Sequence, residues 1–84
     1  MHVEFLGIPR ERAGISDIEV RAQSLGQLLG TLADRFPALA ELIDEDRLHP
    51  SLVANLNGDE FISDPETAFG DNDHLIILSA DAGG

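Results

Sequence analysis

The chain ends in two glycines, Gly83 and Gly84, and its most reactive candidate group is the terminal carboxylate. An α-carboxyl group has an ordinary pKa of about 3.5, so it is ionised and nucleophilic at neutral pH. Because glycine has no Cβ, a Gly-Gly tip can thread a channel too narrow for other residues. The carboxylate could attack the α-phosphate of ATP to form an acyl-adenylate, and a sulfur nucleophile could then displace AMP. The pattern favours acyl-transfer chemistry at Gly84.

The side chains that most often do chemistry lack the required context. The histidines show no metal-ligand spacing; they are His2, His49 and His74. Asp71 and Asp73 resemble the start of a calcium loop, but the glycine and final glutamate of such a loop are missing, so a turn is favoured. No serine has a nucleophile-elbow context. We therefore expect no metal site and no enzyme activity from the chain alone.

The charge is strongly acidic, with 16 Asp and Glu against 5 Lys and Arg and a net charge of −11. Phosphate backbones and anionic lipids would repel such a chain, so nucleic acid and membranes are poor partners, whereas a basic protein surface is a good one. All five cationic residues are arginine, so the chain has no lysine.

The expected location is the cytoplasm. No apolar run approaches the roughly 18 residues that span a bilayer. Residues 1–4 have neither the basic nor the apolar region of a signal peptide. The chain has no cysteine, so an 84-residue domain must be held together by packing alone, which suits a reducing compartment.

The first half of the chain predicts a hairpin followed by a helix. Residues 3–6 and 15–22 show the alternation of strands, and residues 7–14 (GIPRERAG) have the composition of a turn. Ser24 and Gln27 form a capping box that opens a helix, and Pro37 ends it near residue 35. An apolar stripe follows this helix at positions 25, 28, 29, 32 and 36. A short second helix after Pro37 and a polar loop over residues 44–50 complete this half.

The second half predicts three strands. Residues 52–56 form a strand, and Asn57-Gly58 is a strong signal for a tight turn into a short return strand at residues 61–62. We expect Phe69 to pack into the core from a loop. Residues 75–78 (LIIL) are apolar on both faces, which is typical of a central strand.

These elements predict an α+β protein with a β-grasp (ubiquitin-like) fold. A mixed sheet of about five strands would carry one main helix across one face, and the last strand would return beside the first. The domain would span residues 1–79, and residues 80–84 would form a flexible tail ending in Gly-Gly.

From Asn57 onwards the sequence resembles the family of ubiquitin-like sulfur carriers that includes the molybdopterin synthase small subunit and the thiamine-pathway carrier. The resemblance rests on Asn57-Gly58, Phe69, an acidic turn at residues 71–73, the strand at residues 75–78 and Gly83-Gly84. The segment Arg-Phe-Pro-Ala-Leu at residues 35–39 fits the same family.

The resemblance implies a carrier that holds sulfur as a thiocarboxylate on Gly84. It implies no permanently bound cofactor; ATP would be used by an E1-like adenylating enzyme. The second partner would be a sulfur-accepting synthase, such as a molybdopterin synthase large subunit in molybdenum cofactor biosynthesis. The length and residues 35–39 favour the molybdopterin synthase small subunit.

Strand parity predicts where such partners would bind. If Val3 and Phe5 face the helix, the opposite face of the sheet carries Leu6, Ile76 and Leu78. Exposed apolar patches usually mark a binding site, and the resemblance implies docking there. The tail residues Asp81, Ala82 and Gly83 complete the predicted partner-binding set.

Three other functions stay open. The same chemistry could serve thiamine thiazole, cysteine or a secondary metabolite. The chain could instead be a ubiquitin-like modifier joined to target lysines through Gly84. A pure interaction module with an idle tail is the third. The absence of lysine fits both of the first two, because no ε-amine of the chain could be acylated by its own activated end, but it argues against lysine-linked chains.

Overall fold

Five strands form one mixed sheet. The computed structural model describes residues 1–81. Its elements are β1 (His2–Leu6), α1 (Ile8–Ala13), β2 (Asp17–Glu19), α2 (Leu25–Arg35), α3 (Pro37–Ala40), β3 (Ile43–Asp44), β4 (Arg47–Leu48), β5 (Leu52–Leu56), β6 (Glu60–Ile62) and β7 (His74–Ser79). The strands of the sheet lie in the order β2-β1-β7-β5-β6. The predicted central position of the last strand is confirmed, because β7 pairs in parallel with β1 and antiparallel with β5.

The core lies between this sheet and α2. Alternate residues of β1 and β7 point towards the helix; Val3, Phe5, Leu75 and Ile77 are fully buried. The predicted helical stripe meets them, and its buried members are Leu25, Leu28, Leu29 and Leu32. Phe36, which follows the helix, stacks edge-on against Phe5 with ring centroids 5.9 Å apart. The period of two in the strands and of about 3.6 in the helix therefore produces one shared apolar layer.

The capping interactions at Ser24 agree with the sequence prediction. The Ser24 hydroxyl accepts the backbone N–H of Gln27 at 3.2 Å, and the Gln27 side chain accepts the N–H of Gln23 at 2.6 Å. Because the first N–H groups of a helix have no partner within it, these bonds define where α2 begins. The helix ends at Arg35, and Pro37 opens α3, as expected.

The prediction of a turn over residues 7–14 is wrong, since a third helix, α1, occupies this stretch. Pro9 lies in the first turn of α1, where its missing N–H costs nothing, and Gly14 ends the helix with φ of 78°. Proline and glycine thus mark the two ends of a helix rather than a turn. The second strand is correspondingly shorter than predicted, covering only Asp17–Glu19.

The polar loop predicted over residues 44–50 also contains regular structure. Ile43–Asp44 and Arg47–Leu48 pair as a two-stranded ribbon, with Ile43 opposite Leu48. Both of these apolar residues pack against the core cluster. The sequence pattern did not predict this ribbon.

Asn57 joins the tight turn after β5 to the start of β7. Both Asn57 and Gly58 have positive φ, 58° and 73°, as predicted for a tight hairpin turn. The Asn57 side chain donates to Asp73 Oδ1 at 3.0 Å and accepts the N–H of His74 at 2.8 Å. Asp73 also accepts the N–H of Gly70 at 2.8 Å. The acidic turn is therefore held through both carboxylate oxygens of Asp73.

Two of these hydrogen bonds hold the pKa of Asp73 below its ordinary value of 3.8. The bond from the Gly70 N–H has the larger effect, and the bond from the Asn57 amide has the smaller one. Because the folded-state pKa is the lower one, the ionised group stabilises the fold above the unfolded-state pKa, and this contribution is lost as the pH falls through the folded-state pKa. We expect Asp73→Asn to lower the free energy of unfolding by a constant amount near neutral pH. Below about pH 4 the difference in this free energy between wild type and variant should shrink. Urea titration across pH measures it.

Asp71→Asn is the matched control, because Asp71 is an exposed carboxylate in the same turn. It should have little effect at any pH. If the Asp73→Asn difference kept its full size at the lowest pH at which the domain still folds, the proposed cause would be wrong.

Candidate functional site: the outer face and the tail

The face of the sheet opposite α2, here called the outer face, is apolar where β1 and β7 end. The structure places the three predicted residues there together, since Leu6 pairs with Leu78 and Ile76 lies two residues earlier on β7. All three are partly exposed, whereas their neighbours Phe5 and Ile77 are fully buried. Their role in partner binding stays a prediction.

Two further apolar side chains extend this face and were missed by the sequence analysis. Val53 on β5 lies opposite Leu78. Phe61 on β6 lies opposite Asn55, and its side chain is 62% exposed, the largest exposure of any large apolar residue in the range 1–81. The alternation of residues 52–56 could have predicted that Val53 lies on the outer face. For Phe61, only the pairing of β6 with β5 shows the face on which it lies.

Asn55 lies within this apolar surface. It pairs with Ile76 on one side and with Phe61 on the other. Its Oδ1 atom is buried and has no hydrogen-bond partner within residues 1–81. A buried acceptor without a donor is costly, so Asn55 could accept a hydrogen bond from a group that docks on the outer face.

The other end of the outer face, where β1 and β7 begin, is polar. His2 contacts both Asp17 and Glu19, with nitrogen–oxygen distances of 3.1 and 2.8 Å. His74 contacts Glu4 at 3.2 Å, and the two imidazole rings lie 5.0 Å apart. These histidines thus pair with surface carboxylates. In the part of the chain that the structure describes, no group of three or more His, Asp or Glu side chains could hold a metal ion.

The tail begins directly beyond the apolar end of this face. Ala80, its first predicted residue, donates its N–H to the carbonyl oxygen of Ser51 at 2.8 Å. Asp81 follows in a turn and is exposed. The other predicted tail residues, Ala82, Gly83 and Gly84, lie outside the described residues.

Several solved structures resemble this chain over its whole length. No protein-family model and no curated protein sequence matches it. The small archaeal modifier protein 1 (SAMP1) of Methanosarcina acetivorans is 27% identical with a TM-score of 0.79, covering 99% of this chain and 94% of that one. A chain of the Amycolatopsis orientalis BexX/CysO complex is 27% identical with a TM-score of 0.78, covering 99% and 98%. SAMP1 of Haloferax volcanii, at 24% identity and a TM-score of 0.80, covers 100% and 98%.

The chain has a ubiquitin-like β-grasp fold. The resemblance of the sequence to ubiquitin-like sulfur carriers is confirmed, because the structural neighbours of the chain are ubiquitin-like sulfur carriers and modifiers. These similarities support a sulfur carrier or a ubiquitin-like modifier as the function. Within residues 1–81 of this β-grasp domain, no helix has the length and apolarity needed to cross a membrane.

Opposite faces of β7 should respond differently to the same substitution. Ile77 is fully buried and Leu78 is partly exposed. We expect Ile77→Glu to cost more than about 4 kcal/mol in free energy of unfolding, because it buries an unpaired charge. Leu78→Glu should cost about 1–2 kcal/mol. Urea titration measures both values.

Leu78→Gln separates charge from shape, since it has nearly the same volume as Leu78→Glu. If Leu78→Gln and Leu78→Glu both lower the free energy of unfolding by a similar, small amount, the outer face tolerates a polar side chain. Loss of the fold in Leu78→Gln would mean that this face is part of the core.

Proposed function

We propose that this protein carries sulfur as a thiocarboxylate on Gly84. An E1-like enzyme adenylates the terminal carboxylate, the loaded carrier docks on a second enzyme through its outer face, and the tail enters that enzyme's active site. The carrier supplies a reactive end and a docking surface, while its partners supply the catalytic groups.

The proposed steps balance without a bound cofactor. A carboxylate oxygen of Gly84 attacks the α-phosphorus of ATP, and pyrophosphate leaves. Sulfide then attacks the acyl carbon, and AMP leaves with one of the original carboxylate oxygens. With a persulfide donor the product is an acyl disulfide, which a second thiol must reduce to the thiocarboxylate.

One observation carries the proposal: β7 contributes two residues to the outer face and leads directly into the tail. Ile76 and Leu78 lie on the outer face, and the chain continues from this strand to Gly84. Residues 81–84, if extended, span at most roughly 14 Å. A partner that covers the outer face therefore has the terminal carboxylate within reach of an active site at its edge. The similarity to the BexX/CysO complex supports this assignment.

The proposed carrier is the small subunit of a molybdopterin synthase, as the length and residues 35–39 suggest, and its sulfur-accepting partner is the large subunit. The same chemistry with thiamine thiazole, cysteine or a secondary metabolite as acceptor would use the same outer face and the same tail. The identity of the acceptor depends on the partner surface, and purification of the loaded carrier with its bound synthase would reveal it.

A second candidate function is protein modification. The similarity to the small archaeal modifier protein 1 of M. acetivorans favours it. In this case an amine of a target protein, rather than sulfide, attacks the activated Gly84. Because the chain has no lysine, such a modifier would not build chains through its own side chains.

Mass spectrometry of protein from its native host separates the two functions. A carrier shows a gain equal to the exchange of one oxygen for one sulfur. Fragmentation must place this gain on the C-terminal peptide, since oxidation of Met1 adds nearly the same mass. A modifier gives isopeptide-linked products. A native pool with neither product would contradict both functions.

Deletion of Gly84, or Gly83→Leu, should abolish adenylation and leave thermal stability unchanged, because both glycines follow β7 in the sequence and have no side chain to bury. Gly30→Leu is the matched control: Gly30 lies in α2, and no atom of residues 1–81 comes within 4 Å of its would-be Cβ. This control should keep full adenylation, measured by ATP–pyrophosphate exchange. Full activity in a chain that lacks Gly84 would refute the proposed chemistry.

The net charge of −11 should steer the carrier towards a basic partner surface. Steering is screened by salt, with a Debye length of about 10 Å at 0.1 M. Raising salt from about 20 to about 500 mM should slow association at least about tenfold and change dissociation less. Stopped-flow kinetics with the partner enzyme measures both rates.

Two charge-matched variants locate the steering surface. Glu4→Gln with Asp17→Asn removes two negative charges from the polar end of the outer face, and Asp44→Asn with Glu45→Gln removes two from the β3–β4 ribbon. The first pair should slow association more than the second. Equal effects, or an association rate independent of salt, would mean that the acidity does not guide docking on the outer face.

A further inference from the structure

The strand that leads into the tail ends in a buried hydroxyl group. Ser79, the last residue of β7, is 7% exposed and is the one buried polar residue within residues 1–81. Its Oγ accepts the backbone N–H of Ile8 at 2.8 Å, joining positions 71 residues apart. Ile8 is the first residue of α1, so its N–H has no acceptor within that helix. The hydroxyl of Ser79 supplies the missing acceptor.

Gly7 makes room for this hydroxyl. A Cβ atom at Gly7 would overlap the Oγ of Ser79, and Gly7 also has φ of 71°, a conformation that other residues rarely adopt. The junction between β1 and α1 is therefore shaped around the end of β7. By contrast, Gly14 has a similar φ of 78°, but no atom in the described part of the chain lies within 4 Å of its would-be Cβ.

A second contact holds the next residue from the other side. The Ala80 N–H donates to the carbonyl oxygen of Ser51, and Ser79 itself pairs with Leu52 on β5. Gly7, Ile8 and Ser51 thus hold Ser79 and Ala80 from both flanks of the central strand. These five residues are here called the tail clasp.

We propose that Ser79 is a positioning residue for the acyl-transfer chemistry of Gly84. The tail clasp fixes the point and the direction in which the chain leaves the outer face, so that residue 81 is the first one free to adapt to a partner. An end that starts from a fixed point reaches a productive geometry more often than one that starts from a mobile point. This inference rests on the proposed function and adds that Ser79 sets the direction in which the tail leaves β7.

The clasp can be tested first in the free chain. In Ser79→Ala, amide hydrogen exchange of Ile8 should accelerate at least about tenfold, because its N–H loses its acceptor. The heteronuclear NOE of Ala80 should fall. Ser51→Ala is the matched control, since the Ser51 hydroxyl contacts His49 at 2.9 Å while its carbonyl oxygen keeps the bond to Ala80. Unchanged exchange at Ile8 in Ser79→Ala would overturn the proposal.

Gly7→Ala approaches the same contact from the other side. It should displace the Ser79 hydroxyl and give the same faster exchange at Ile8. Gly14→Ala introduces a similar backbone strain without that overlap, so it should reduce stability but leave Ile8 exchange unchanged. If both variants changed Ile8 exchange equally, strain in α1 rather than the clasp would be the cause, and the proposal would fail.

The positioning role is read from adenylation kinetics with the E1-like enzyme. Ser79→Ala leaves the outer face intact, so KM for the carrier should stay within about twofold of wild type while kcat falls about three- to tenfold. A structural defect in docking would instead raise KM. Equal kcat in Ser79→Ala and wild type would overturn the positioning role alone. A wild-type chain that is not adenylated at all would overturn the proposed function and the positioning role together.

Discussion

The parallel pairing of β1 with β7 is the interaction on which the rest of the molecule depends. It joins the first and last strands in the described part of the chain and places both in the middle of the sheet. Because side chains alternate along a strand, one pairing creates two surfaces. One face buries Val3, Phe5, Leu75 and Ile77 beneath α2. The other aligns Leu6 with Leu78 and becomes the outer face. If the register of β7 shifted by one residue, its buried side chains would move to the outer face and its outer side chains would move into the core, so neither surface would form.

The loops around this pairing hold its two ends by different means. At the start of β7, Asn57 and Asp73 fasten the acidic turn to the hairpin turn through charge-assisted hydrogen bonds. At the end of β7, a buried hydroxyl and a glycine without Cβ bring α1 against the last residue of the strand. The central strand is therefore anchored at both ends by side-chain contacts that add to its backbone ladder. This construction suits a protein whose proposed task is to present the residues that follow that strand.

The proposed chemistry divides the work between the carrier and its partners in a way that the composition supports. A carrier with an activated end gains from having neither lysine nor cysteine side chains that its own acyl group could modify, and the chain has neither. In the proposed function, its acidic surface would favour encounter with a basic partner, and the apolar end of the outer face would provide the short-range contact. The Oδ1 atom of Asn55 has no hydrogen-bond partner within residues 1–81, so a docking group that donates a hydrogen bond there would be favoured. Either proposed function, sulfur carrier or modifier, would use the same activated end and the same outer face, and the nucleophile that attacks Gly84 would decide between them.

Local patterns by themselves determined most of the elements: the capping box at Ser24, the stop at Pro37, the hairpin at Asn57-Gly58 and the central strand at residues 75–78. They also predicted Leu6, Ile76 and Leu78 on one face, because strand parity depends only on sequence spacing. The tertiary structure decided what spacing does not encode. Pro9 and Gly14 are compatible with either a turn or a helix, and contacts between α1 and the end of β7 favour the helix. Phe61 joins the outer face only through the pairing of β6 with β5. Ser79 and Gly7 lie 72 positions apart, so their contact exists only after the first and last strands have paired.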